Sequence, residues 1–446
     1  MRLSVHSLIG ISALVVVLLS LTLFVCEKGR IGWSVSTIMV VAAILRLLFL
    51  FRQPELSDDI YRYLLDGLQS LLGSNPYALA PTEIMPQNEE IAILITKVNH
   101  PNMVTIYPPA AQLVFILGAL LNGGVFGVKI LLTAVDLATC AMLLRLLAAL
   151  ELPLCRGVLY AWHPLPIIEI SASGHIDGAG ILFLFVTLFL LIMKTSSHDF
   201  GSTLKNRFQH IQMPLSRGVI LSFFAGFAFA FSCLVKLFPI VFLPGFIALL
   251  RGPSRAVFII GTTTGSILLT IPFLPDIQQQ LHTLTIYLCN WEFAGFSYHA
   301  LKRLTGSTLL TRFLLGFGFF FAIVFLYWNL YKNNSAAADY AIHPFSLCTK
   351  ETFLSVITTF YKISILYLLI TPTLYPWYAL CLVSLLPFTT GSAGLLLSWS
   401  VFLGYRVLIP YTLLHQWVDN GATAFMIWSA PVTALLLHAV IRRLQR

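Results

Sequence analysis

Apolar runs recur along the whole chain and leave little room for other architectures. They fall near residues 8–26, 31–51, 110–121, 125–145, 157–173, 178–193, 218–235, 238–250, 256–272, 309–331, 352–370, 376–388, 392–412 and 421–440. A helix needs roughly 20 mostly apolar residues to cross a bilayer, so the pattern predicts an all-α polytopic membrane protein with about 12–14 spans. Of the 446 residues, 58% are apolar and 10% charged, and mean hydropathy is +0.87. An ordinary soluble domain carries about 25% charged residues, so soluble, disordered, coiled-coil and collagen-like classes are excluded. The first run is expected to be a span, not a cleaved leader, because it lacks a small-x-small cleavage site and a second span follows at once.

The formal net charge is +9, but the basic residues sit mostly in short gaps between apolar runs. That is the positive-inside pattern of a membrane protein, with no nucleic-acid partner implied. Lys28 with Arg30, Arg145 with Arg156, Lys194 to Arg217, Arg251 with Arg255, Lys332 with Lys350, and the C-terminal Arg442, Arg443 and Arg446 mark one face. Alternation then sends residues 52–109, a first external loop, and residues 273–308, a second, to the other face, within a single domain over 1–446. The run 110–121 breaks the alternation unless it is interfacial or re-entrant. The seven cysteines show no CxxC and no Cys/His metal spacing and read as small hydrophobes.

The densest polar chemistry is Ser57-Asp58-Asp59-Ile60-Tyr61-Arg62-Tyr63-Leu64-Leu65-Asp66-Gly67. On a helix Asp58 and Arg62, Asp59 and Tyr63, and Arg62 and Asp66 are each four apart, so one face carries carboxylates around a guanidinium. The plain alternative is that Ser57 caps the helix and the acids complement its dipole. Tyr107-Pro108-Pro109 places an aromatic before an extended helix entry, suited to a headgroup or a sugar. Gly174-His175-Ile176-Asp177-Gly178 forms an outer turn with an imidazole and a carboxylate. Lys236 lies in an apolar stretch and needs an anionic partner or an escape to the interface. Arg406 is a cation inside the run 392–412. Tyr375 and Trp377 stand in a proline-rich turn that reads either as an interfacial belt or as a sugar-stacking rim. These groups gather at one membrane face, which suits a substrate with a lipid end, a phosphate and a sugar. Cations such as Arg62, Lys236 and Arg406 would hold the phosphate, a carboxylate would take a hydroxyl proton, and Tyr63, Tyr107, His175, Asp177, Tyr375 and Trp377 would contact sugar or acceptor.

The blocks SDDIYRYLLDG, GSNPYALAP, HPNMVTIYPP, WHPLPIIEISASGHIDG, KLFP and TPTLYPWY together resemble the multispanning bacterial GT-C glycosyltransferases, in particular the mannosyltransferase-like group that uses polyprenyl-phosphate sugars. The resemblance covers about half of the chain, and departs from the group at Ile176, where Asn is usual, and at Leu65, where Trp is usual. It implies a GT-C-type helical bundle with a helical first external loop and an active site on the periplasmic side of a bacterial plasma membrane. It also implies that Asp58 and Asp59 are the acidic pair, one the base and the other orienting it or binding a metal. The expected activity is hexose transfer, with mannose as first guess, from a polyprenyl-phosphate-linked sugar to a lipid or glycan acceptor, with inversion. Two adjacent aspartates suit a divalent cation such as Mg or Mn, but no full oxygen shell is visible and the sequence does not require one. A flippase or transporter of lipid-linked sugars, or a lipid-linked glycan polymerase or ligase, is the alternative. No broken-helix pair or inverted repeat is apparent to favour transport.

Overall fold

The computed structural model describes residues 2–29, 32–195, 215–338, 349–414, 416–418 and 421–444. The expectations placed on Arg30, Lys205, Arg207 and Arg446 lie outside them. Among the described residues the regular structure is helical, with no strand beyond isolated bridges pairing Phe293 and Ala294 with Thr373. Among the described residues eight helices are long and apolar enough to cross a membrane by length and composition, and five shorter apolar helices of 10–17 residues accompany them. The protein is therefore an all-α polytopic membrane protein.

The elements that position the site follow in chain order. They are α1 (Arg2–Glu27), α2 (Val35–Leu50), α3 (Asp59–Leu71), α4 (Glu89–Lys97), α5 (Pro109–Leu120), α6 (Val125–Ala149), α7 (Asp177–Thr195), α8 (Leu215–Val235), α9 (Pro253–Thr270), α10 (Ile277–Asn290), α11 (Phe296–Thr305), α12 (Thr308–Ala338), α13 (Lys350–Ile370), α14 (Leu380–Thr389), α15 (Ser392–Ser400) and α16 (Ala422–Leu444). Local chemistry sets several boundaries. The Ser34 hydroxyl accepts from Thr37 N at 3.0 Å to start α2. The Asn88 side chain accepts from Ile91 N at 2.9 Å to start α4, whose first turn carries Glu89 and Glu90 and whose last carries Lys97, as the dipole favours. α5 opens on a proline, whose fixed φ suits the first helical position.

Two apolar runs differ from the sequence expectation. α5 has 12 residues, about 18 Å at 1.5 Å per residue, too short to cross a core of about 30 Å alone. It packs on α3 and α6. A Cβ on Gly67 would meet the Phe115 carbonyl, so glycine lets α3 and α5 approach at that point. The run 157–173 is not one helix. It breaks at Trp162-His163-Pro164 into Val158–Ala161, Pro164–Pro166 and a π-helical turn Ile167–Ala172, because Pro164 and Pro166 have no N–H to continue a ladder. This corrects the expectation of one uninterrupted span over 157–173.

Residues 273–308 are not an open loop either. α9 runs through a 3-10 stretch at Ile271–Asp276, with Pro272 and Pro275, into α10, giving a continuous apolar segment Pro253–Asn290, and α11 follows. Between α2 and α5, residues 52–109 hold α3, α4 and a single turn at Pro81–Glu83. At one end of the bundle the basic gaps meet: Arg156 pairs with Glu27 at 2.7 Å, and Lys350 with Glu151 at 3.3 Å. Inside it, Arg46 of α2 pairs with Asp136 of α6 at 2.6 Å, both fully buried.

Candidate active site

A chamber of about 1180 Å³ lies where the other ends of these helices converge. Its wall takes Asp58, Asp59 and Arg62 from the start of α3, and His100 and Tyr107 from the segment before α5. Asp177 comes from the start of α7, Lys236 from the end of α8, Tyr287 and Trp291 from α10 and its end, and Tyr375, Trp377 and Tyr378 from the turn after α13. Residues scattered over more than 300 positions thus share one space.

The two aspartates differ in their surroundings. Asp59 is held on both oxygens: Asn99 Nδ2 donates to Oδ1 at 2.9 Å and the Tyr107 hydroxyl to Oδ2 at 3.1 Å. The Tyr63 hydroxyl donates in turn to the Tyr107 hydroxyl at 3.1 Å. Asp58 is the N-cap of α3, yet its side chain makes no capping bond. The Ser57 hydroxyl accepts from Asp59 N instead, at 3.3 Å. Asp58 is exposed to the chamber but recessed in its wall, and partial desolvation followed by the neighbouring Asp59 charge pushes its carboxyl above the usual range. An unpaired carboxylate with raised proton affinity stands beside a fixed one.

Lys236 Nζ lies 2.8 Å from Asp177 Oδ2 and over the ring of Tyr378, 5.3 Å from its centroid. One of its three N–H groups is used on Asp177, leaving two for an incoming anion. Tyr378 in turn contacts a column of stacked rings. Phe293 and Tyr375 lie 5.0 Å apart, Tyr375 and Trp377 4.6 Å apart with planes 5° apart, and Trp377 and His175 4.0 Å apart. The bridge Phe293 N to Pro372 O at 3.0 Å and Thr373 Oγ1 to Trp291 O at 3.0 Å fastens the two strips that carry the column.

Of the residues singled out in the sequence, Asp58, Asp59, Arg62, Tyr107, Asp177, Lys236, Tyr375 and Trp377 line the chamber. Four of the expected roles need correction. Arg62 spends its guanidinium on the carbonyls of Met103 at 3.1 Å, Asn99 at 3.0 Å and His100 at 3.0 Å, so it braces that segment and is not poised for phosphate. Tyr63 is fully buried behind Tyr107 and reaches no ligand space. His175 is buried behind Trp377 and touches Asp59, not the chamber. Arg406 is exposed on the far side of its segment, with Nη1 2.9 Å from Met426 Sδ, although its neighbours Tyr405 and Val407 line the wall. Sequence reasoning did not single out Asn99, whose amide fixes Asp59, nor Tyr405 and Tyr378. Asn99 and Tyr405 stand alone in the sequence with no spacing signal, and Tyr378 closes the TPTLYPWY block.

Among the described residues no three His, Cys, Asp or Glu side chains stand close enough to hold a metal. Asp58 and Asp59 alone fall short of the roughly six oxygens that Mg or Mn takes, and Asp59 already accepts from Asn99 and Tyr107. No protein-family model, curated protein or solved structure matches the chain.

Proposed function

We propose that the protein is a membrane glycosyltransferase that moves a hexose, with mannose the first to test, from a polyprenyl-phosphate sugar to a hydroxyl of a lipid or glycan. We place it in a bacterial plasma membrane with the chamber toward the periplasm. The observation that carries this reading is the free Asp58 carboxylate beside the clamped Asp59, in one chamber with Lys236 and the aromatic column. In the proposed step Asp58 accepts the proton of the acceptor hydroxyl as its oxygen attacks the anomeric carbon. The bond from that carbon to the phosphate oxygen breaks, and the polyprenyl phosphate leaves with the electron pair, giving inversion. The spare N–H groups of Lys236 stabilise the charge on the leaving phosphate, and Tyr107, Tyr375 and Trp377 offer faces and edges for the sugar.

The test is transfer of label from radioactive polyprenyl-phosphate mannose to a native lipid extract by protein in nanodiscs, extended to a panel of donor sugars. Asp58→Asn is expected to lower turnover by about 10²–10⁴-fold with donor binding kept, as loss of a general base does. The broken segment 158–172 supports a second reading, a carrier of lipid-linked sugars, since interrupted helices are common at transport sites. Counterflow of bound donor with no new glycosidic bond for any sugar in the panel would replace the transferase reading with that one.

A further inference from the structure

Behind the chamber wall stand three buried polar groups to which the proposed step gives no work. Glu169, on the π-helical turn, is fully buried, and its Oε1 accepts from the Tyr405 hydroxyl at 2.6 Å. Its Oε2 lies 3.4 Å from His175 Nε2, and His175 Nδ1 lies 3.8 Å from Asp59 Oδ2. Glu169 Oε2 and both ring nitrogens are sealed from solvent with no hydrogen-bond partner at these separations. Catalytic hydrogen bonds in unliganded enzymes are commonly long and tighten when substrate binds. The ring itself is fixed by its face-to-face contact with Trp377.

The backbone explains why these groups meet. His175 N donates to the main-chain carbonyl of Glu169 at 2.8 Å, and Ser173 N to that of Ile168 at 2.9 Å, which closes the wide turn. Gly174 then adopts φ +79, and a Cβ there would strike Ile60, the residue after Asp59. The turn is thus pressed against the first turn of α3, and the imidazole against Asp59. Single π turns inside helical segments recur at functional sites.

Proton counting decides the state of the row. A bare ring nitrogen and a carboxylate oxygen repel through their lone pairs, so each of the two gaps needs one proton. Two protons on an acid, an imidazole and an acid leave one negative charge in all. Two arrangements meet that count, a neutral imidazole beside one protonated acid and an imidazolium between two carboxylates. Burial of Glu169 and His175 disfavours the second, which places two further charges away from water, and Asp59 receives both Asn99 and Tyr107, so the single charge rests there. The imidazole then carries its proton on Nδ1, facing Asp59, and Glu169 carries the other on Oε2, facing Nε2.

We propose that Glu169 and His175 form a two-proton relay that presents an Nδ1–H to Asp59 and so fixes the orientation and the charge of the carboxylate beside Asp58. They are positioning residues, and the catalytic consequence rests on the transferase reading above.

The test uses the full chain in nanodiscs with ¹⁵N-labelled histidine, in wild type, Glu169→Gln, Glu169→Leu and His175→Phe. The His175→Phe spectrum assigns the His175 signals by difference. The expected result is an Nδ1–H tautomer in wild type and in Glu169→Gln, whose amide can donate to Nε2, and its loss in Glu169→Leu. Turnover should fall by about 10²-fold in Glu169→Leu, as misplacement of a reacting group does. It should return in Glu169→Gln, with donor binding unchanged in both. An Nε2–H tautomer in wild type, or a Glu169→Leu protein with the wild-type spectrum and rate, would overturn the relay. If the tautomer behaves as expected while the wild type transfers no sugar, the relay stands and the transferase reading falls.

Discussion

Removing one side of the Arg46–Asp136 pair should unfold much of this protein's stability margin, and removing both should restore most of it. The geometry sets the scale. Arg46 Nε donates to Asp136 Oδ2 at 2.6 Å, its Nη1 to the carbonyls of Ala161 at 2.7 Å and Ala42 at 3.1 Å, and the Tyr160 hydroxyl to Asp136 Oδ1 at 2.6 Å. Both side chains are at 0% exposure, so neither charge can reach water when its partner goes. Breaking a buried pair from one side costs about 3–5 kcal/mol, whereas replacing the whole pair by neutral groups is often close to neutral. Arg46→Met leaves a buried carboxylate with only Tyr160, and Asp136→Asn leaves a buried guanidinium facing an amide. Each should cost about 3–5 kcal/mol, and the double variant far less than their sum, a coupling of about 3 kcal/mol or more. The assay is equilibrium unfolding in mixed dodecylmaltoside and dodecylsulfate micelles, followed by tryptophan fluorescence, on the two single variants and the double. Single costs below about 1 kcal/mol, or a double variant whose cost equals the sum, would refute the argument that this pair is a sealed, mutually dependent charge site.

Three further outcomes are expected. Asp66 is buried beside Gln112, which donates to it at 3.2 Å, and burial, only partly offset by Arg62, pushes its carboxyl from 3.8 up to about 6. The folded state therefore holds the proton more tightly than the unfolded one, so this group's contribution weakens as pH rises from about 4 to 6. Asp66→Asn should stabilise the protein by about 3 kcal/mol at pH 7.5 and by under about 1 kcal/mol at pH 4, read by the same micelle titration; equal gains at both pH values would contradict the assignment. Lys236→Met should weaken donor binding by about 10–100-fold, the worth of a hydrogen bond to a charged group, with Lys236→Arg recovering part of it in a filter-binding assay. Unchanged binding in Lys236→Met would take phosphate away from this residue. Arg406→Met should leave donor binding and transfer within about twofold of wild type, because its guanidinium faces Met426 and not the chamber; a large loss would return it to the site.

The membrane architecture was legible because burial in lipid needs long apolar runs, and those are visible residue by residue. What the runs concealed was continuity. Residues 157–173 read as one span on hydropathy, yet Pro164 and Pro166 stand in the sequence, and two prolines in three positions are enough to break a helix. Residues 273–290 erred the other way. Alternation of spans made 273–308 an external loop, but Leu281, Leu284 and Leu288 keep a helical spacing on one side, and the structure runs α10 through them. Arg46 and Asp136 are legible on the same ground as Lys236, since a charge inside an apolar run demands a partner, and each finds it in the other.

The chamber's membership was readable in outline, because alternation of spans sends the polar turns near 58, 177, 236 and 375 to one side. Its division of labour was not, for a physical reason. Asp58 and Asp59 are adjacent in a chain with identical side chains, and what separates them is Asn99 and Tyr107, 40 and 48 residues from Asp59. The helix reading suggested pairs four apart, but Arg62 turns three of its five N–H groups to main-chain carbonyls of the segment before α5 and makes no ion pair within that ladder. His175 shows the same limit from the other direction. A Gly-His-x-Asp-Gly turn at a polar face suggested an imidazole aimed at substrate, and Asp177 does reach the chamber. The left-handed Gly174 turns the chain so that the imidazole enters the protein instead, between two carboxylates. A glycine before a histidine is visible in any sequence, whereas its positive φ and the press of Ile60 from another helix, which leaves no room for a Cβ there, appear only in the fold. Tertiary contact therefore decides which polar residues of a turn serve the ligand and which serve each other.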